Sequence, residues 1–273
     1  MPKSYVKSNI VRFLVYLSAT LTVGVLVFLL AYILIKGIPY LRPSLFSVHY
    51  TSENCSVFPA LVNTLMMTFL ALLIAGPLGI GSAIFLVEYA KKGNKFVKLV
   101  RLTTETLTGI PSIVYGLFGM LLFVFYLHWG YSILAGSCTL AIMILPTIMR
   151  TTEEALMAVP DSYREGSFGL GAGKLRTIFK IILPSAVPGI LSGIILATGR
   201  VVGETAALIY TAGTVATIPK SVFGSGRTLA IHMYVLSSEG LHTEQAFATA
   251  VVLLLIVILI NAFSTFLAKK IKK

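Results

Sequence analysis

The 273-residue chain is 56% hydrophobic, only 12% charged, and has a mean hydropathy of +0.90. Its charged fraction is about half that of a soluble domain, which excludes a disordered chain and argues against an ordinary soluble enzyme. Lys and Arg total 22 against 10 Asp and Glu, a formal net charge of +12. Because the basic residues lie between long apolar runs, this excess indicates a membrane protein and not a nucleic-acid partner.

Six apolar runs have the length of a membrane span, which needs about 20 residues. In chain order they cover residues 13–35, 58–87, 107–127, 131–149, 187–212 and 246–268. The first run is too long for a signal peptide, so we expect it to be retained. We predict an all-α integral membrane protein with a short N-terminal segment (1–12), a six-helix transmembrane domain (13–268) and a basic tail (269–273). A turn near residues 128–130 joins spans three and four into a hairpin.

The basic residues are distributed unequally between the two sides of the predicted membrane domain. Seventeen of the 22 lie in the N-terminal segment, the connections after spans two and four, and the tail. Four lie in the other connections, and Arg200 lies inside span five. Short cytoplasmic loops carry the excess of Lys and Arg in membrane proteins. We therefore predict that both termini are cytoplasmic.

No catalytic or metal-binding pattern is apparent in the sequence. The four histidines and the two cysteines do not cluster with carboxylates at ligand spacing. Residues 168–175 superficially resemble a phosphate-binding loop, but Phe168 and Leu175 stand where Gly and Ser or Thr are required. We expect no catalytic residue, no metal, no cofactor and no ATPase site in this chain.

The connection over residues 150–184 is long for a compact domain. We expect two short helices, the first capped by Asp161 and ended by the glycines of residues 169–173. Residues 174–183 form a basic amphipathic stretch, and prolines at 184 and 188 are expected to break or kink it. Two interpretations fit the residues equally: a helix lying on anionic lipid, and a helix that docks a cytoplasmic partner.

Two ionisable residues, Arg200 and Glu204, lie inside the fifth predicted span. Their spacing of four predicts one shared helix face, and Arg200 lies about 18 Å beyond Pro188, near the middle of the bilayer. Each charge there costs about 2.5–3.5 kcal/mol. The pair fits either a structural lock between helices or the polar lining of a solute path. Small residues at a spacing of four, starting at Gly189 and Gly199, predict close helix packing.

Glycine and proline interrupt two other spans, at residues 76–81 and 109–111. Such interruptions mark moving or path-lining elements in some transporters. They are equally compatible with tolerated kinks, and the sequence alone does not separate the two.

The long connection contains a recognisable spacing of residues. Glu165, Gly166 and Ser167 are followed after three residues by Gly171, and after nine more by Ile-Ile-Leu-Pro at 181–184. This pattern resembles the EAA loop of ABC importer permeases. Gly166 and Ser167 replace the alanines of the family pattern and are still small. The resemblance implies that Glu165, Gly166, Ser167 and Gly171 belong to a coupling loop that docks on an ATPase, and it favours docking over the lipid-surface interpretation.

Within that family, residues 111–119 and 199–207 resemble the PstA-type permeases of phosphate importers. The resemblance implies the six-helix architecture of a type I ABC importer permease in the plasma (inner) membrane of a prokaryote. It also implies a homologous PstC-type permease, an ATP-binding subunit dimer, an extracytoplasmic phosphate-binding protein and surrounding membrane lipid as partners. Arg200 would supply positive charge to the phosphate path, and Glu204 would balance it.

Two alternatives remain for the function. The first is an ABC permease for another oxyanion. The second is an ion-coupled secondary transporter, which would not need an EAA-like loop and usually carries more spans or an internal repeat.

Overall fold

The computed structural model describes residues 3–91 and 93–271, and the side-chain surroundings of residues 10–91 and 93–266. Regular structure in these ranges is entirely helical, which confirms the predicted fold class. Lys92, Lys272 and Lys273, which contribute to the charge asymmetry, lie outside the described residues. The helices are α1 (Lys3–Gly37), α2 (Phe58–Ile84), α3 (Lys95–Thr108), α4 (Ser112–Gly119), α5 (Ile133–Met157), α6 (Asp161–Gly169), α7 (Lys174–Thr177), α8 (Leu183–Val202), α9 (Ala206–Ile209), α10 (Leu229–Glu239) and α11 (Thr243–Ile271).

Three π-helical turns adjoin these helices. Phe85–Tyr89 extends α2, Met120–Tyr126 extends α4, and Ile178–Ile182 joins α7 to α8. In the part of the chain that the structure describes, five continuous helical units are long and apolar enough to cross a membrane. A sixth results only if the bent pair α3–α4 counts as one span. α1 begins at Lys3, so the predicted N-terminal segment is helical from that residue onward.

The centre of the bundle consists of α2, α5 and α8. Met67 from α2 and Ile144 and Ile148 from α5 are fully buried there. α8 approaches α5 closely because Gly189 and Gly193 face it: a Cβ at Gly189 would lie 2.6 Å from the Cβ of Ala155, and one at Gly193 would overlap Thr151. The predicted role of these two glycines in close packing is confirmed. Gly199, the first residue of the second small-residue series, has open space around it and does not act in this way.

The helix α1 stands apart from the bundle along most of its length. Its apolar side chains from Ile10 to Leu29 are exposed. Only its last turns pack on α11, where the rings of Tyr32 and Phe247 meet edge to face at 5.7 Å. In a membrane, such a surface is in contact with lipid or with another subunit.

The third predicted span, 107–127, is not one helix. α3 ends at Thr108 and α4 begins at Ser112, and the two are bent by 103°. Pro111 lacks a backbone N–H and disfavours the helical conformation of the residue before it, so α3 ends at Thr108, with Gly109 as its C-cap. Pro77 and Pro188, in contrast, lie inside continuous helices. Of the two predicted interruptions, only the second is a break.

The fifth predicted span, 187–212, is wrong at both ends. The helical unit runs continuously over Lys174–Val202, and the chain breaks at residues 203–205 before the short α9. Pro184 does not end the amphipathic stretch, because the wider π-helical turn of Ile178–Ile182 directly precedes it and accommodates the missing hydrogen bond. The break at residues 203–205 changes the interpretation of Arg200 and Glu204.

Candidate site at the broken helices

The helix α8 ends about half-way through the bundle. Gly189 and Gly193 contact Ala155 and Thr151, so α8 and α5 run antiparallel. From Gly193, α8 continues for about 13 Å to Val202, whereas α5 continues in the same direction for about 27 Å beyond Thr151. The C-terminus of α8 therefore lies about half-way along this part of α5. Arg200, about half a turn earlier, lies at a similar level, and its position near the middle of the bilayer stays a prediction.

The two backbone breaks lie side by side. α9 packs on α4, where Gly116 has no room for a side chain: a Cβ there would lie 2.7 Å from the Cα of Ala207. The hydroxyl of Tyr115 donates a hydrogen bond of 2.8 Å to the carbonyl of Leu107, which ties α4 back to the end of α3. Irregular backbone is tolerated at membrane depth only inside protein or beside a water-filled cavity. The two breaks thus bring irregular backbone from two segments close together at this level of the bundle.

Arg200 lies at this region without a carboxylate partner. Its side chain is half-buried, and no Asp or Glu among the described residues lies within 4.0 Å of its guanidinium. The guanidinium is therefore an uncompensated positive charge beside the broken helices.

Glu204 is not a partner of Arg200 on a helix face, and that prediction is wrong. α8 has ended at Val202, so the spacing of four no longer places the two side chains together. Glu204 is only 9% exposed, and its Oε1 accepts a 3.1 Å hydrogen bond from the backbone N–H of Ala207. A carboxylate in this position satisfies the first turn of α9 and interacts favourably with its N-terminus. Glu204 fixes the shape of the break.

At the other end of α8, the predicted coupling loop folds into a helical hairpin. α6 ends in a Schellman motif, in which Gly171 N–H donates to Phe168 O at 2.9 Å and Ala172 N–H to Ser167 O at 3.1 Å. Gly171 has a φ of +79°, the left-handed conformation that favours glycine. The prediction that glycine ends the first helix is confirmed. Asp161 does not cap it: Pro160 precedes the first turn, and Asp161 binds Arg164 instead.

The four residues assigned to coupling do not share one environment. Glu165, Gly166 and Gly171 are exposed. Ser167 is buried, and its hydroxyl lies 2.8 Å from that of Thr177 on α7. Ser167 therefore holds the hairpin together and does not face outward. The small residue at this position is explained by the close approach of the two helices.

The hairpin exposes large apolar side chains that a solvated loop would not carry. Leu170 is 89% exposed, and the others on the same hairpin are Tyr163, Phe168, Leu175 and Phe179. The last two were missed at the sequence level, although their spacing of four along a helix would have revealed them. An exposed apolar group of this kind marks a surface for another protein or for the membrane.

The described residues contain no group of three or more His, Cys, Asp or Glu that could hold a metal. His232, on α10 outside the spans, is fully buried and donates from Nε2 to the carbonyl of Cys55 at 3.1 Å. Burial, followed by the charge of Arg227, lowers the pKa of His232 to about 3. The imidazole is therefore neutral and structural.

A family model and individual relatives identify the same class of protein. A family model described as "Binding-protein-dependent transport system inner membrane component" matches residues 75–273. The chain is 36% identical over 245 residues to the probable ABC transporter permease protein YqgI of Bacillus subtilis, covering 82% of this chain and 81% of the relative. It is 32% identical over 267 residues to the phosphate transport system permease protein PstA of Mycobacterium leprae, covering 94% and 87%.

Solved structures of ABC importers share the fold. A bacterial transporter that imports the acidic polysaccharide alginate aligns with a TM-score of 0.71 at 17% identity, covering 98% of this chain and all of the compared chain. The MetNI methionine transporter, in an inward-facing conformation, aligns with a TM-score of 0.61 at 20% identity, covering 80% and 94%. With the family match over residues 75–273, these findings show that the chain belongs to the multi-pass inner-membrane permease components of prokaryotic ABC importers.

Proposed function

We propose that this chain is the permease subunit of an ATP-driven phosphate importer and that it forms half of the translocation path. Support comes from relatives named as PstA permeases of phosphate transport, which are 32% identical over 94% of this chain and 34% identical over 84% of it. A homologous PstC-type permease would form the other half. The exposed surfaces of α1 and α4 would face that subunit and the surrounding lipid.

The phosphate path of this half runs past the paired breaks, with Arg200 as its positive charge. The observation that carries this assignment is the half-buried guanidinium of Arg200, which has no carboxylate within 4.0 Å among the described residues. A planar guanidinium binds phosphate oxygens in a bidentate manner. Glu204 is proposed to shape the path by holding the N-terminus of α9.

The coupling hairpin, within residues 150–184, docks on a cytoplasmic ATP-binding subunit dimer. The exposed Glu165, Gly166 and Gly171, with the apolar side chains around Leu170, form the docking surface. Ser167 supports that surface from inside. ATP is hydrolysed by the partner dimer. An extracytoplasmic phosphate-binding protein delivers phosphate at the opposite end of the bundle.

The proposed orientation has the coupling hairpin and both termini in the cytoplasm. Lys91, Arg101, Arg164 and Lys174 all line or border the groove beside α6, at the end of the bundle where the hairpin lies. The positive-inside rule assigns such an end to the cytoplasm.

The test is uptake of labelled phosphate by vesicles that contain the complete complex, with sulfate and molybdate measured in parallel. We expect ATP-dependent uptake of phosphate that requires the binding protein. Preferential uptake of sulfate or molybdate would replace phosphate by another oxyanion and leave the permease assignment intact. Uptake that ignores ATP and follows an ion gradient would support a secondary transporter and contradict the proposal.

A further inference from the structure

The arm of the hairpin formed by α6 is attached to the ends of two core helices through the guanidinium of Arg164. Arg164, on α6, donates from Nη2 at 2.7 Å and from Nε at 3.2 Å to Oε1 of Glu88. Glu88 lies in the π-helical extension of α2. The two side chains are only 16% and 8% exposed. This pair therefore joins the coupling hairpin to the core of the membrane domain.

The same guanidinium also reaches the end of α5. It donates to the carbonyl of Leu156 at 3.0 Å and to that of Val159 at 2.9 Å. Arg164 thus contacts the ends of two core helices from a position on the coupling helix. A planar group with five donors in a fixed fork can hold such an arrangement, whereas a lysine cannot.

A second contact follows the first along the chain. The ammonium of Lys174, the first residue of α7, lies 4.8 Å from the ring centre of Tyr89. Both arms of the hairpin are therefore attached to the same π-helical turn of α2. A second ion pair between helices, Arg101–Glu153, joins α3 to α5 and involves an arginine that is 44% exposed. It does not touch the hairpin.

From this arrangement we infer that Glu88 and Arg164 are positioning residues for energy coupling. They make α6 and the ends of α2 and α5 move as one body when the docking surface is displaced. Without the Glu88–Arg164 interaction, α6 can move with the ATP-binding subunit while α2 and α5 stay in place. The inference rests on the proposed function, because it assigns a mechanical role within that transport cycle.

A purely structural role of the pair predicts a different result from a positioning role. If the pair only stabilised the fold, its loss would reduce the amount of assembled complex and leave each surviving complex fully coupled. If it positions the hairpin, assembled complexes hydrolyse ATP but import less phosphate per ATP. The ratio of phosphate imported to ATP hydrolysed, measured per assembled complex, separates the two roles.

The experiment compares Glu88→Gln and Arg164→Lys with Asp161→Asn as the matched control, in the complete complex with its binding protein. Asp161 contacts the same guanidinium at 3.2 Å, but its side chain is 79% exposed. We expect the phosphate-to-ATP ratio to fall about tenfold in the first two variants, within the range known for coupling residues. We expect the control to remain within about twofold of wild type, as for an exposed pair.

An unchanged ratio in Glu88→Gln and Arg164→Lys overturns the inference, including the case in which less complex assembles. An equal fall in Asp161→Asn also overturns it, because the effect would then follow any charge change near α6. Measurements on the wild-type complex separate the proposed function from the role of the Glu88–Arg164 pair. If wild type imports no phosphate, the proposed function is wrong, and the pair is then judged by the stimulation of ATPase activity by the binding protein.

Discussion

Replacement of Gly171 by alanine tests whether the backbone of the hairpin sets the docking surface. The φ of +79° costs an L-residue about 1–2 kcal/mol, whereas a Cβ at this position would meet no atom within 4 Å. The strain is therefore conformational and not steric. It shifts the equilibrium between the native turn and alternative turns by about 5- to 30-fold. Both hydrogen bonds of the Schellman motif belong to the native turn.

The assay measures phosphate uptake and ATPase activity per assembled complex. We expect Gly171→Ala to insert and assemble normally but to lose about fivefold or more of its uptake, in line with that shift. Gly169→Ala is the matched control, because Gly169 is the last residue of α6, lacks a positive φ and has open space around it. Alanine there favours the helix. Wild-type uptake by Gly171→Ala, or an equal loss in Gly169→Ala, would refute this reasoning.

Three further predictions concern docking, orientation and pH. Leu170→Asp should reduce co-purification of the ATP-binding subunits. Leu241→Asp, which replaces a leucine that is also exposed (81%), should not. Retention of the subunits by both variants would exclude the apolar docking surface. A membrane-impermeant thiol reagent should label Lys220→Cys from outside and Lys91→Cys only after the cytoplasmic side is opened, and the reverse pattern would invert the topology. Because the pKa of His232 is lowered to about 3 in the folded state, the unfolded state binds the proton more tightly. Stability should therefore fall below about pH 6.5 by about 1.4 kcal/mol per pH unit, and thermal unfolding of His232→Gln should lack that slope.

The sequence contained enough information for the helical fold and the hairpin. Long apolar runs predict spans because the bilayer sets their length. Gly189 and Gly193 predicted close helix contact, and Gly171 predicted the end of α6, because each glycine has a direct local consequence. These features depend on residues near one another in the chain.

The broken helices could not be placed from the sequence, because proline has different effects in different tertiary settings. Pro111 follows a real break, whereas Pro77 and Pro188 lie within continuous helices. The pairing of Arg200 with Glu204 assumed one helix, and the chain leaves that helix at Val202. The two breaks come together through contacts between α4 and α9 that no local pattern encodes.

The buried residues that hold the hairpin in place could not be identified from the sequence either. Ser167 matches the motif as a small residue, yet it faces Thr177 inside the hairpin. Arg164 and Glu88 are 76 residues apart, and only the folded chain brings their side chains together. A motif identifies a loop, but the tertiary structure decides which of its residues face a partner.

The most direct test of the account is labelled-phosphate uptake, normalised to assembled complex, by Arg200→Gln beside Glu204→Gln. Removal of the only proposed path charge should lower uptake by about a hundredfold, since an unassisted charge at mid-membrane costs about 3 kcal/mol. Glu204→Gln keeps an oxygen that can accept from Ala207 N–H, so its uptake should stay near wild type. Near-normal uptake by Arg200→Gln, with the complex fully assembled, would contradict the assignment of the phosphate path to the broken helices.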